Sequence, residues 1–164
     1  MRARLALLLL LALSACGFQL RGVYTLPFDK LYIALPETNE LRVALQRGIA
    51  TGTRTQVVDN ATGATATLHV VRDVSAKNIL SIGSDGRVRE FQLARTFAFR
   101  VQDREGRDLL PESSLAVIRD ITFSDAAVLS KESEEVLLWR DIQNDLVQQI
   151  LRRLAAAKVQ ARAD

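Results

Sequence analysis

The sequence has few of the side chains that build disulfides, metal sites and catalytic centres. It contains one cysteine and one histidine, Cys16 and His69, among 164 residues. A single cysteine excludes an intrachain disulfide, and this pair cannot supply the four ligands of a structural zinc site. No G-x-S-x-G elbow or glycine-rich phosphate loop is present. His69 falls within a predicted strand, where a structural role is expected. We therefore expect no enzymatic activity, no metal and no cofactor.

A strong excess of charge is also missing. The net charge is +3, but residues 1–15 hold two of the 22 basic residues and none of the 19 acidic ones. From Cys16 onward the charges nearly balance, which excludes a strongly basic nucleic-acid-binding protein. No segment after residue 15 approaches the roughly 20 apolar residues of a transmembrane helix.

The chain begins with a pattern typical of a bacterial lipoprotein signal. Two arginines precede the apolar run Leu5–Leu13, and two small residues separate that run from Cys16. The pattern predicts removal of residues 1–15 and attachment of lipid to Cys16. Gly17, rather than Asp, follows the cysteine, which favours localisation to the outer membrane. The alternative is an ordinary secretory signal with a chance cysteine.

Composition divides the rest into a tether over residues 16–29, one domain over 30–157 and a frayed tail over 158–164. In the first half of the domain, Lys30–Leu35 has the alternation of a strand. A helix follows, with Asn39 as its N-cap and Gly52 at its end. Thr55–Asp59 is a short β-like run.

The second half is mostly β until its last helix. Strands are predicted at Thr65–Val74, Glu90–Gln102 and Leu115–Phe123, and Lys77–Gly86 is expected to form a loop or hairpin with an Asp-Gly turn. The final helix starts between Asp125 and Ser133 and runs to about Ala157. Its apolar stripe, which should place Trp139 on Phe97 or Phe99, comprises Val136, Trp139, Ile142, Leu146, Ile150 and Leu154.

These elements predict an α+β fold, a two-layer α/β sandwich with a four-stranded mixed sheet covered by two helices on one face. The first helix would make a right-handed crossover between parallel strands, and hairpins would join the later strands. The other face of the sheet carries many polar residues, so we expect it to be free for water or a partner.

Several short motifs, in order and spacing, resemble the LptE family of lipopolysaccharide-assembly lipoproteins. The run Cys16–Gly22 is similar to the family's mature start, and Gly86–Leu93 to its Gly…Glu-aromatic-x-Leu stretch. Arg119–Phe123 and Val128–Glu134 resemble the segments that precede and open its last helix. The resemblance implies a non-enzymatic outer-membrane lipoprotein that plugs the β-barrel LptD, helps it assemble and assists lipopolysaccharide insertion into the outer leaflet.

The resemblance also implies a lipopolysaccharide-binding site. The family's lysine before the last helix matches Lys131, whereas its other basic residue aligns with Ser84, so Arg87 and Arg89 are the candidates for that role. Basic side chains bind the phosphates of lipid A through charge-assisted hydrogen bonds. Lys77 and Arg119 are further cations near this region, and scattered solubility charges are the alternative for each. A pilotin-like or ligand-binding lipoprotein facing the periplasm is the alternative function.

Overall fold

The computed structural model describes residues 25–157, so Cys16, the predicted signal and the predicted frayed tail lie outside the described residues. Two short 3₁₀ helices, Ala61–Gly63 and Asp125–Ala127, join the main elements. Those elements, in chain order, are β1 (Lys30–Ile33), α1 (Glu40–Gly52), β2 (Gln56–Val58), β3 (Ala66–Ile82), β4 (Val88–Asp103), β5 (Asp108–Thr122) and α2 (Val128–Ala155).

The predicted α+β sandwich is confirmed, with five strands in the sheet instead of four. The strand order is β2-β1-β3-β4-β5, and β1 runs parallel to both β2 and β3. The additional strand is β2, which lies within the β-like run at Thr55–Asp59. It has only three residues, so its alternation is too short to predict a strand.

Strands β3, β4 and β5 form a long antiparallel meander. The third strand does not stop at Val74, as predicted, but continues to Ile82 and pairs with β4 over its whole length. Most of Lys77–Gly86 is therefore strand, because the ladder with β4 holds it despite its mixed composition. The predicted Asp-Gly turn is present, and Gly86 has a φ of +76°, a region that glycine adopts without steric cost.

The core lies between one face of this sheet and the two helices. On β4 the odd-numbered residues from Leu93 to Val101, except Arg95, are fully buried. The side chain of Asn39 caps α1 by accepting hydrogen bonds from the amides of Leu41 and Arg42 at 2.9 and 3.2 Å. Buried Leu26 and Phe28 extend the packed region into the end of the predicted tether.

The predicted stripe of α2 is buried only from Ile142 onward. Val136 is 52% exposed, and Trp139 packs against the edge of the core without being enclosed by it. The reason is that α2, at about 1.5 Å per residue, is about 42 Å long. Its first turns extend past the part of the sheet where both helices pack.

The molecule consequently has two different ends. The anchor end comprises β1, β2 and the β4–β5 turn at Asp103–Asp108. There the incoming Pro27–Asp29 shares a surface cavity with that turn. The open end comprises the β3–β4 turn at Gly83–Arg87, the end of β5 and the first turns of α2. Only three strands reach it, because β1 pairs with β3 no further than Leu68.

Candidate functional site

The structure brings Lys131, Arg87 and Arg89 to the open end. Lys131 Nζ donates a 2.8 Å hydrogen bond to Thr122 Oγ1, while the amide of the next residue, Phe123, donates to the Arg89 carbonyl at 2.7 Å. The Arg87 carbonyl accepts from the Gly83 amide at 2.7 Å and closes the β3–β4 turn. Two neighbouring arginines and a lysine more than 40 positions further along the chain thus share one end of the fold.

Lys131 is the most enclosed of the three. Its ammonium group lies 2.8 Å from Glu134 Oε2, one helical turn later, and its side chain is 22% exposed. The helix fixes this pair, because residues three apart share a face. A phosphate at this position would gain a partly desolvated, positioned ammonium group and would compete with Glu134 for it.

Arg89 and Arg87 are arranged around Asp85. Arg89 Nη2 lies 2.8 Å from Asp85 Oδ2, and the Arg87 amide donates to Asp85 Oδ1 at 3.2 Å. The turn is tight: a Cβ on Gly83 would lie 2.5 Å from Asp85 Oδ1 and 2.6 Å from Arg89 Nε. Glycine at position 83 therefore allows the carboxylate and guanidinium groups to fold over the turn.

The other two cations serve the contact between sheet and helix. Lys77 Nζ lies 2.6 Å from Glu135 Oε2 and 4.4 Å from the centre of the Phe91 ring. Arg119 lies further from the open end. Hydrogen bonds from its guanidinium group to Asp141, and secondly to Asp145, raise the pKa of Arg119 above its usual value. We therefore place Lys77 at the border of the candidate site and Arg119 outside it.

Exposed apolar side chains flank the basic groups, and the sequence interpretation missed them. Leu129 is 80% exposed and Ile82 is 60% exposed. The other members of this set are Ile79, Leu80, Val128, Val136 and Leu137. A signal for β3 was available, because its apolar residues fall on both faces of the strand. Cations beside exposed apolar surface suit a ligand that combines phosphates with acyl chains.

No helix among residues 25–157 has the length and hydropathy required to cross a bilayer.

Solved structures of bacterial lipoproteins share this fold. The solution structure of uncharacterized lipoprotein B from Nitrosomonas europaea is 40% identical, with a TM-score of 0.75 over 85% of this chain and 91% of that one. A minor lipoprotein from Acinetobacter baumannii is 26% identical, with a TM-score of 0.66 over 82% of this chain and 98% of that one. The architecture is therefore that of a bacterial lipoprotein domain.

The sequence comparisons identify the family. The model for LptE, described as lipopolysaccharide-assembly, matches residues 28–154. The LPS-assembly lipoprotein LptE of Pectobacterium atrosepticum is 28% identical over 162 residues, 94% of this chain and 86% of that protein. This chain belongs to the LptE family of lipopolysaccharide-assembly lipoproteins.

Proposed function

We propose that this protein is a lipid-anchored plug and assembly factor of the outer-membrane β-barrel LptD, and that it assists the insertion of lipopolysaccharide into the outer leaflet. The family match over residues 28–154 carries the proposal. The distribution of surface groups supports it, since the open end combines the basic residues with exposed apolar side chains. The described chain enters the fold at the opposite end, beside the β4–β5 turn.

The two ends would then have different tasks. Lipid on Cys16 would hold the anchor end at the periplasmic side of the outer membrane, with several acyl chains, because a single chain binds only marginally. The open end would lie in the barrel lumen, about 50 Å away, since β4 has 16 residues at about 3.3 Å each. Lys131, Arg87 and Arg89 would there bind the phosphates of lipid A.

Co-purification with LptD tests the plug. The full chain, extracted in detergent from cells that express both proteins, should stay with LptD in a 1:1 ratio. Recovery of a multimeric secretin in place of LptD would refute the proposal and support a pilotin-like protein. Cys16→Ala should shift the chain out of the outer-membrane fraction when LptD is absent, whereas unchanged fractionation would refute the lipid anchor.

A triple variant that removes the three positive charges tests the lipopolysaccharide site. We expect K131Q/R87Q/R89Q to bind lipopolysaccharide at least about tenfold more weakly, a change of about 1.4 kcal/mol. The expected loss of binding free energy is well below the contribution of three fully desolvated charge-assisted hydrogen bonds, because Arg89 is 58% exposed and screened by solvent. Binding by the parent should also weaken as salt rises.

The matched control removes the same charge elsewhere. Arg47, Arg54 and Arg153 are exposed residues of α1, the segment after α1 and the end of α2. The variant R47Q/R54Q/R153Q should bind lipopolysaccharide as the parent does. Equal loss in both variants would show that net charge, and not the open end, determines binding. Both variants should retain the parent's LptD complex.

A further inference from the structure

The second half of β3 is an unprotected sheet edge. Within the described residues, β1 covers this side of β3 only at Ala66–Leu68, and from Val70 to Ile82 the strand has β4 on one side alone. Along an edge, alternate residues direct their amide and carbonyl groups away from the sheet. Such a row of groups pairs readily with another extended chain.

Exposed apolar side chains are concentrated on the same segment. Five of the eleven exposed large apolar residues of the described chain lie between Val71 and Ile82. They occupy both faces of the strand and comprise Val71, Val74, Ile79, Leu80 and Ile82. A strand added at this edge would cover apolar side chains as well as satisfy backbone groups.

Two of the three charged residues between Val71 and Ile82, Asp73 and Lys77, are paired within the chain, and the third, Arg72, is an exposed charge near the start of this segment. Asp73 accepts two hydrogen bonds, of 2.9 and 2.8 Å, from the guanidinium group of Arg95 on the neighbouring strand. Lys77 is held by Glu135 of α2. The opposite edge strand, β5, carries Pro111 and Glu112, which are typical protections of a sheet edge.

Residues 16–24 and 158–164 are too short to reach the far end of this edge at Ile82. Helix α2 starts at the open end and extends back along the sheet, and Pro27–Asp29 lies at the anchor end, so both ends of the described chain lie away from the open end. Residues 16–24 and 158–164 would span at most about 32 and 25 Å when fully extended. Ile82 lies 14 residues, or about 46 Å, beyond Leu68 along β3.

We propose that β3 between Arg72 and Ile82 accepts an extended segment of LptD as an additional strand of the sheet. This inference rests on the proposed function, which supplies the partner. The closed barrel pairs its own strand edges, so the occupant is a segment that connects barrel strands. Its side chains would be apolar on both faces, to match those of β3.

Hydrogen exchange in the purified complex tests strand addition directly. We expect about half of the amides between Arg72 and Ile82 to exchange rapidly in the free full-length chain and to become protected in the LptD complex. Only alternate residues face the free edge, so complete protection is not expected. A complex with LptD in which these amides stay unprotected would refute strand addition and leave the proposed function intact.

A pair of identical substitutions gives a second test. Val74→Lys places a charge on the edge, and Val43→Lys makes the same change at a similarly exposed position of α1. We expect the first to weaken the LptD complex about tenfold and the second to leave it unchanged, with unaltered melting temperatures for both. Equal effects would refute the edge as the specific contact.

Two further outcomes would also overturn the inference. If the free chain dimerises at micromolar concentration with the same amides protected, the occupant of the edge is a second copy. If LptD does not co-purify with the parent chain, the proposed function is refuted, and so is the proposal that a segment of LptD pairs with β3.

Discussion

The anchor end and the open end are parts of one continuous sheet, yet they differ in what their side chains do. At the anchor end Leu31, Leu68 and Phe99 are fully buried between five strands and the helices. At the open end three strands and the first turns of α2 leave Ile82 and Leu129 in solvent. Because burial supplies most of the folding free energy, the anchor end stabilises the molecule and the open end is available for recognition.

The largest expected effect comes from the enclosed core. Phe97 is fully buried, and its ring lies 5.7 Å from that of Phe99. Phe97→Ala should lower the free energy of unfolding by about 3–5 kcal/mol, through lost burial and a cavity. Leu137→Ala, an exposed position on α2, should change it by less than about 0.5 kcal/mol. Urea titrations measure both changes, and a clear loss of stability in Leu137→Ala would show that the open end also stabilises the fold.

Trp139 provides an intermediate point between the two ends. Its ring is half-buried, and Nε1 lies 3.4 Å from Glu135 Oε1. Trp139→Ala should cost about 2 kcal/mol, because only part of the ring leaves the core. A cost equal to that of Phe97→Ala would show that the core continues along α2 into the open end.

The same contrast explains what could be predicted from the sequence. Alternation identified the middle of β4, where one face is buried, and the Asn39 cap identified the start of α1. At the open end β3 has solvent on both faces, so hydrophobic period gives no strand signal, and only pairing with β4 shows that it continues to Ile82. Val136 is exposed and Trp139 packs only at the edge of the core, because helical spacing does not show where the covering sheet ends.

Sequence reasoning proposed the residues of the candidate site but not their surroundings. The resemblance to the family selected Lys131, and the fold places it at the same end as Arg87 and Arg89. Of their partners, Thr122 depends on tertiary geometry and Asp85 on a specific turn, whereas Glu134 follows from helical spacing. Of the exposed apolar residues around them, only those of β3 left a signal, because they fall on both faces of the strand; on α2, sequence does not distinguish an exposed leucine from a buried one.

A cap at the base of α1 should have a smaller effect than either aromatic residue. Asn39→Ala removes the acceptor for the amides of Leu41 and Arg42, which should cost about 1 kcal/mol. Asn39→Asp keeps an acceptor there and should retain most of the stability. If Asn39→Ala leaves the urea midpoint unchanged, α1 depends on packing alone.

The smallest effect should be a pH dependence at the anchor-end turn. Burial alone would raise the pKa of Asp103, but hydrogen bonds from the amide and guanidinium group of Arg107, together with charge attraction, hold it below its usual value. The carboxylate therefore stabilises the fold fully above its unfolded-state pKa. That contribution declines as the pH falls below about 4, because the unfolded chain then binds the proton first.

Asp103→Asn isolates this contribution from those of the other carboxyl groups. The stability difference between parent and variant, measured by urea titration, should be constant from pH 7 to pH 5 and should shrink between about pH 4 and pH 2. A difference that grows on acidification would mean that Asp103 is protonated in the folded state, and that the anchor end is not closed by this carboxylate.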